Sequence, residues 1–471
     1  MPDDQTLVIT IRGEYLPFFY ELGLLLYNPY PIKAIAPGVV VKDDGKGVYL
    51  ANEDDSEDEP VFTGDLLKQT VLDPETGYMS HPEVVSGPYT LTSWDGAVAE
   101  FELNPYYKCD FYGNTPTIKK LVYTLADNDT MVEKLKNGEF GLLNKVTKAD
   151  TIDAANQMIE ENEGFESTKY PRTGLSYISF ACEKPTVASE AVRQAIAWSM
   201  DRDQIVKDYI GDYGERMDGY FGLGQWMYGA VNGTFAAPFK APEDTSDTKK
   251  MAEYQAKLDE WTALSMSLTE YTLDTDKANA LLDEDGWTLN ADGIREKEID
   301  GETVTLDLKM IYPAGNKIAD SFEANLIPNL EKAGIRLTLE AVPMAELLER
   351  YYKKADRDMD MIYLASNFDV VYDPSVSFIV DEEGEPNWSY TNHADEELYR
   401  LAVEMRETEP GDATEYVRRW IAFQEQFNET LPMIPLYSNY YYDFYTANLH
   451  DYAIEKNIAW STAINAASLA E

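Results

Sequence analysis

Residues 304–364 read VTLDLKMIYPAGNKIADSFEANLIPNLEKAGIRLTLEAVPMAELLERYYKKADRDMDMIYL, and this stretch decides the fold. Its three apolar runs are separated by two amphipathic segments. We predict strands at 304–311, 336–342 and 359–364, and helices at 318–333 and 345–354. This strand-helix alternation indicates an α/β layer with a parallel or mixed sheet.

Weaker patterns flank this stretch on both sides. We predict strands at 6–12, on either side of the Asp95–Gly96 turn, at 118–125 and at 177–180, and helices at 129–138, 187–210 and 413–428. Residues 211–234 are rich in Gly, Tyr, Phe and Trp without a helical period. Such a loop is either a packed lid or a ligand-contacting surface.

Length and charge restrict the classes of partner. The chain has 471 residues, of which 44% are hydrophobic and 33 are tyrosine, so wholesale disorder is excluded. With 39 Lys+Arg and 85 Asp+Glu the formal net charge is −46. This charge argues against nucleic acid, because phosphate is repelled rather than neutralised, and also against anionic membranes and, by default, anionic substrates. No apolar segment is long enough to predict a membrane span.

Catalytic and metal-binding patterns are mostly absent from the sequence. The histidines, His81, His393 and His450, have no i,i+4 partner, so we predict neither a His-rich metal centre nor a cofactor. No nucleophile elbow, P-loop or strand-linked dinucleotide motif occurs, and the prediction is that the chain is not an enzyme. Cys109 and Cys182 are too few for a disulfide scaffold, and a bridge between them stays open.

Three separated blocks resemble a known family. They read SGPYTLTSWDGAVAEFELNPYY (86–107), VRQAIAWSMDR (192–202) and DTDKANALLDEDGW (274–287). Their order is that of the extracytoplasmic solute-binding proteins of the peptide/nickel class, family 5, which serve ABC importers. Ser86 stands where that family usually has glycine.

The resemblance implies a two-lobe fold like that of periplasmic binding proteins (type II, cluster C), with mixed sheets and a hinge between the lobes. The implied domains are a remnant of a small extra domain at 1–84, lobe 1 at 85–184, lobe 2 at 185–433 and a return to lobe 1 at 434–471. The chain crosses between the lobes near Lys184 and Met433 by this reading. Paired crossings let rigid lobes close, so we expect the two points to lie together.

The first residues also fit the resemblance. TLVITIRGEYLPFFYELGLLL (6–26) resembles a strand that lies well inside the family's chain. We therefore expect that a substantial N-terminal part, including the signal sequence, is missing and that the small N-terminal domain is incomplete. The implied location is extracytoplasmic, as a cell-surface lipoprotein or a periplasmic protein.

The resemblance also implies which residues bind the ligand, from their positions in the sequence. In peptide-binding members a carboxylate after a lobe 2 strand pairs with the ligand's ammonium, and Asp369 falls at that place. Asp373 is the alternative, and Ser366 stands where tryptophan is common. Lys317 is the nearest cation to the place of a carboxylate-binding arginine. Further pocket candidates are Arg172, Tyr177, Tyr220, Trp226 and Trp388; for each aromatic, core packing is the alternative.

The leading functional hypothesis is the substrate-binding component of an ABC importer that captures oligopeptides or similar extended solutes. The expected partners are that solute and the permease subunits, with no nucleic acid, and the expected state is a monomer. A binder of an oligosaccharide or other non-peptide solute is the alternative, and a secreted hydrolase is a third hypothesis.

Overall fold

The computed structural model describes residue 6 and residues 8–54, 63–381 and 390–470. The strands, in chain order, are β1 Val39–Asp43, β2 Val48–Asn52, β3 Tyr89–Trp94, β4 Val98–Leu103, β5 Lys120–Thr124, β6 Leu142–Val146, β7 Phe165–Pro171, β8 Leu175–Phe180, β9 Gly214–Arg216, β10 Thr288–Leu289, β11 Arg295–Ile299, β12 Glu302–Thr305, β13 Asp307–Pro313, β14 Arg336–Val342, β15 Met361–Ser366, β16 Met433–Thr446, β17 Leu449–His450 and β18 Ser468–Leu469.

The α-helices are α1 Ile32–Ile35, α2 Gly64–Leu67, α3 Met131–Lys136, α4 Ala149–Glu161, α5 Glu190–Trp198, α6 Arg202–Tyr209, α7 Trp226–Val231, α8 Thr248–Thr262, α9 Thr275–Glu284, α10 Ile318–Asn325, α11 Ile327–Lys332, α12 Met344–Tyr351, α13 Glu396–Arg406, α14 Ala413–Thr430 and α15 Trp460–Ala466. Among the residues just given, no helix combines the length and the apolarity needed to cross a bilayer.

One mixed sheet organises the molecule. Its strands follow the order β14-β13-β15-β8-β16-β6, and β7 and β9 also pair with β16. β13 runs parallel to β14 and β15, whereas β8 is antiparallel to β15. The crossover helices α10, α11 and α12 connect the parallel strands, as the alternation in 304–364 predicts. The predicted mixed α/β architecture is confirmed.

β16 connects two halves of this sheet. One half contains β8, β15, β13 and β14, and the other contains β6 and β7. The first residues of β16, Met433–Tyr437, pair with β8, and its last residues, Tyr440–Thr446, pair with β7. The chain also passes between the two halves in the three residues that separate β7 from β8. The Arg172 N–H donates to Asn439 O at 3.0 Å at that point. The two passages therefore lie side by side.

Apolar layers cover both faces of the β13–β15–β8 region. Ile178, Met310 and Tyr363 belong to one core cluster, which includes residues of α5, α9 and α10. Tyr177 and Ile362, which are sequence neighbours of two of them, belong to another, which includes residues of α13 and α14. This alternation follows from the two-residue period of a strand. Smaller clusters cover the β6–β7 half, and Ile35, Ala36 and Val39 centre a small separate one.

Several predicted helices are interrupted. The predicted helix at 187–210 is two helices, α5 and α6, because Asp201 caps the second by accepting the Gln204 N–H at 3.1 Å. The predicted helix at 318–333 also divides, since Pro328 has no N–H to donate and instead stands in the first turn of α11. The predicted strand at 304–311 falls on β12 and β13.

The strand predicted at 6–12 is wrong over residues 8–12. Residues 8–12 form no strand. The segment after them docks on α13 and α14 instead: the Phe19 N–H donates to Arg406 O at 3.0 Å, and its ring stacks on Tyr416 at 4.0 Å. Packing of the aromatic residues 18–20 against the core therefore determines the conformation of this segment, in place of the β propensity of the residues before them.

The two cysteines are free thiols. Cys109 is exposed, whereas Cys182 is buried within the first core cluster and its N–H donates to Thr391 O at 2.7 Å. Burial disfavours the thiolate and raises the pKa of Cys182 to about 11. The bridge that the sequence left open is not formed.

We expect a thiol reagent at mildly alkaline pH to modify one cysteine in the folded protein and both in urea, because thiolate is the reactive form. Counting modified thiols by mass spectrometry checks this. Cys109→Ser should abolish the modification of the folded protein. Rapid modification of two thiols without denaturant would contradict the buried position of Cys182.

Candidate functional site

A cavity of about 960 Å³ lies between the two halves of the molecule. We call it the cleft. One wall comes from the segments around β6 and the start of α4, including Asp127, Lys145 and Asp150. The other wall comes from the ends of β13 and β15 and from α10, including Lys317 and Asp320. Ligand sites in α/β sheets commonly lie beyond the carboxyl ends of parallel strands, as this cleft does.

The floor of the cleft is the place where the chain crosses between the halves. Arg172, Ser176, Tyr437, Asn439 and Tyr441 line it. They come from the end of β7, from β8 and from the middle of β16. The floor thus connects two segments that are far apart in the sequence.

Glycines allow the crossing segments to approach closely. A Cβ on Gly174 would lie 1.8 Å from Ser366 O, and one on Gly222 would lie 2.3 Å from Gly174 O. The Gly224 N–H donates to Arg172 O at 2.7 Å. The aromatic, glycine-rich loop predicted as a lid or a ligand surface therefore packs against the crossing.

Arg172 is buried at the cleft floor, with 8% of its surface exposed. Its Nε donates to Asn367 Oδ1 at 2.7 Å, Nη1 to Asn439 Oδ1 at 3.3 Å and Nη2 to Ser366 O at 3.1 Å. The guanidinium therefore connects the loop after β15 to β16. Of the residues predicted to bind ligand, Arg172 and Lys317 line the cleft.

Three of the predicted aromatic candidates pack in the core. Tyr177 is fully buried, and its hydroxyl bonds Tyr351 at 3.0 Å and Ser366 Oγ at 2.9 Å. Burial raises the pKa of Tyr177. Tyr220 stacks on Phe427 at 5.1 Å. Tyr177 and Tyr220 therefore pack in the core, which is the alternative to ligand contact given for the aromatic candidates.

Trp226 also packs against other aromatic residues. Its ring centre lies 5.6 Å from that of Tyr416, and its Nε1 donates to Tyr20 Oη at 3.1 Å. Trp388 lies outside the described residues.

The two candidate acids differ in their surroundings. Asp369 is exposed and has no hydrogen bond or ion pair with the residues that the structure describes. Asp373 caps the short 3-10 helix Pro374–Ser377 by accepting the Ser375 N–H at 3.0 Å. Asp369 follows a loop that touches the crossing, since Thr173 Oγ1 donates to Phe368 O at 2.9 Å. It stands near the cleft floor but does not line the cleft.

Sequence reasoning missed the contribution of β16 and β6. Tyr441 and Asn439 lie in the stretch LYSNYYYDFY (436–445), whose only visible signal was its tyrosine content. Lys145 lies in the plain strand pattern of β6. Alternation along the tyrosine run could have indicated that one set of rings faces a ligand.

Asp443 is a fully buried carboxylate beside this part of the floor. It accepts the Lys145 N–H at 2.8 Å and the Asn144 Nδ2–H at 2.9 Å, and the hydroxyls of Tyr170 at 3.2 Å and Tyr452 at 2.7 Å. Lys145 has a φ of 59°, an uncommon conformation for a side chain that is not glycine. The carboxylate therefore holds Lys145 in a strained backbone at the edge of the cleft. Among the residues that the structure describes, no group of three or more His, Cys, Asp or Glu side chains could hold a metal ion.

We expect Gly174→Ala to lower the free energy of unfolding by about 1–3 kcal/mol or more, because the new methyl group overlaps the Ser366 carbonyl. Urea denaturation measures this. Gly141→Ala is the matched control, since a Cβ there meets nothing within 4 Å. Equal stability of the two variants would mean that the crossing is not closely packed.

We expect Asp443→Asn to cost about 1–3 kcal/mol of stability, because an amide group cannot accept all four donors. Thermal unfolding measures the change. Asp451→Asn, at an exposed residue of the same half, is the control. A variant as stable as the control would show that the four hydrogen bonds do not stabilise β6 against β16.

The sequence matches a family profile over most of its length. Residues 1–383 match the profile described as "Bacterial extracellular solute-binding proteins, family 5 Middle". The chain is 24% identical over 232 residues to a probable D,D-dipeptide-binding periplasmic protein of Escherichia coli, a match that covers 49% of this chain and 37% of that protein. It is 22% identical over 422 residues to an oligopeptide-binding protein of Lactococcus lactis, covering 87% of this chain and 59% of the relative. The chain thus spans between 37% and 59% of the length of these two relatives.

Solved structures share the fold. The oligopeptide-binding protein AppA of Bacillus subtilis, in complex with a nonapeptide, superposes with a TM-score of 0.63 at 18% identity, over 92% of this chain and 79% of that one. NikZ of Campylobacter jejuni, in complex with Ni(L-His), gives a TM-score of 0.60 at 16% identity, over 93% and 80%. Both similarities support the two-lobe fold and not a particular ligand.

The profile match covers far more than half of the chain. The chain belongs to the bacterial extracellular solute-binding proteins of family 5.

Proposed function

We propose that the chain is the substrate-binding component of an ABC importer and that it captures oligopeptides or similar extended solutes in the cleft. The observation that carries this proposal is the position of the cleft between two half-sheets that share β16. A solute in that position contacts both halves at once. Binding there stabilises whichever arrangement of the halves encloses the solute.

The strand pairing defines the boundary between the two proposed lobes. We assign the hinge to Arg172–Gly174 and Ser438–Asn439, because strands change partners at these positions. These positions lie before Lys184 and after Met433, the crossings expected from the resemblance. The return of 434–471 to lobe 1 is supported by Tyr445 and Ile464, which share a core cluster with Ile118.

Peptides suit the cleft because its walls offer both charges and neutral hydrogen-bonding groups. Peptide main chains can be held by such groups with little dependence on side chains. Relatives of this chain are named for oligopeptides and a dipeptide, which supports the same solute class. We extend the proposal to an extracytoplasmic location and delivery to permease subunits.

A peptide library separates this proposal from its competitors. The protein is incubated with peptides ranging from dipeptides to nonapeptides, re-purified, and its bound fraction analysed by mass spectrometry. We expect intact peptides to be retained. Cleaved peptides would support the hydrolase hypothesis, and retention of oligosaccharides from a parallel mixture, with no peptide, would support the non-peptide alternative.

We expect Asp369→Asn to weaken the binding of a retained peptide by about tenfold or more, because the resemblance places a carboxylate there against the ligand's ammonium. Titration calorimetry measures the affinity. N-acetylation of the peptide should have a similar effect, and the two changes together should cost less than their sum.

Asp373→Asn is the matched control for this experiment, since Asp373 caps a turn. Its effect on affinity should be smaller. Unchanged affinity in Asp369→Asn would remove the ammonium anchor from that position and favour an acid that lines the cleft, such as Asp150 or Asp320.

A further inference from the structure

Two cations flank one aromatic ring at the cleft floor. The Lys145 Nζ lies 5.2 Å from the centre of the Tyr441 ring, and the Arg172 guanidinium carbon lies 5.9 Å from the same centre. All three residues line the cleft. Cation–π contacts of this kind attract the cations to the ring but leave their charge uncompensated.

Neither cation has an acidic partner among the residues described. Arg172 donates to two amide oxygens and one carbonyl, which are all neutral. A guanidinium has five N–H donors, so two remain for another acceptor. By contrast, Lys148 in the same cleft pairs with Asp129 at 3.2 Å. The charges of Arg172 and Lys145 are therefore not compensated by an acid of the described residues, although both side chains line the cleft.

These groups are held in place before any solute arrives. Asn367 Oδ1 accepts hydrogen bonds from both Arg172 Nε, at 2.7 Å, and Tyr441 Oη, at 3.1 Å. The buried Asp443 fixes the Lys145 backbone. The Arg172 guanidinium and the Tyr441 ring are therefore ordered before a solute binds, which favours binding, whereas the ordering of Lys145 extends to its backbone.

We propose that Arg172 and Lys145, on either side of Tyr441, form a subsite for a carboxylate of the bound solute. This inference rests on the proposed function and adds a charge requirement to it. A carboxylate accepts two N–H bonds from a guanidinium and compensates both cations when the cleft excludes water. The carboxylate comes either from the C-terminus of a peptide or from an acidic side chain.

The first test compares alanine peptides of several lengths as free acids, as C-terminal amides, and as amides that carry one glutamate. We expect amidation to weaken binding about tenfold or more. Restoration by glutamate assigns the subsite to side-chain carboxylates, whereas its failure assigns it to the C-terminus. Equal affinity of the three forms would overturn the subsite while leaving peptide capture intact.

Variants locate the effect. R172Q and K145Q should each weaken the free acid and reduce the difference between acid and amide. K169Q is the matched control, because Lys169 lies 5.4 Å from the ring centre of Tyr440, the neighbouring residue, but does not line the cleft. K145Q removes an exposed amine, so it keeps the test valid if R172Q does not fold. A full acid-to-amide difference in K145Q and in folded R172Q would overturn the assignment.

A second measurement does not require peptide binding. Acetate is titrated into arginine-labelled protein, and the Arg172 Nε–H resonance, identified by its loss in R172Q, is followed by NMR. We expect a saturable shift that K145Q weakens and K169Q leaves unchanged. Absence of a saturable shift would overturn the subsite, even if no alanine peptide binds and the proposed function fails.

Discussion

The structure depends on one continuous strand, β16, whose backbone hydrogen bonds reach both halves of the sheet. Its first part completes the layer of β8, β15 and β13, and its last part completes the layer of β6 and β7. Residues 172–174, which connect β7 to β8, run beside it, so the halves are joined there by one strand and one adjacent short connection. Such a connection can bend without releasing either core, and it places the floor of the cleft at the bend.

The same constraint explains the chemistry of the cleft. Side chains from the two crossing segments must meet where the strands change partners, so Arg172 and Asn439 are neighbours although 267 positions separate them. The close approach needs Gly174, because a Cβ there would overlap Ser366 O, and the buried guanidinium donates to the same carbonyl. Two cations, Arg172 and Lys145, thereby lie at the floor of a cleft whose walls also carry acids such as Asp127, Asp150 and Asp320.

The sequence predicted the architecture better than the site. The β–α–β alternation of 304–364 and the three family blocks are local patterns, and they were sufficient for the mixed sheet. The site depends on contacts that no local pattern contains: Tyr177 and Trp226 have the composition of ligand-binding aromatics but fill the core. Lys145 carried no distinguishing signal, and Tyr441 carried only the alternation of the tyrosine run, because their roles come from the pairing of β6 with β16. The helix breaks at Asp201 and Pro328, in contrast, follow from capping and from proline's missing N–H, and could have been predicted.

Amide hydrogen exchange with and without the peptide mixture tests the central claim that solute binds between the halves. The account predicts slower exchange at both walls of the cleft and at the crossing, in residues 127–129, 145–150, 172–176, 313–321 and 437–441, with little change on the outer helices α8 and α13. Protection confined to one wall, or to the outer surface, would contradict capture between two lobes.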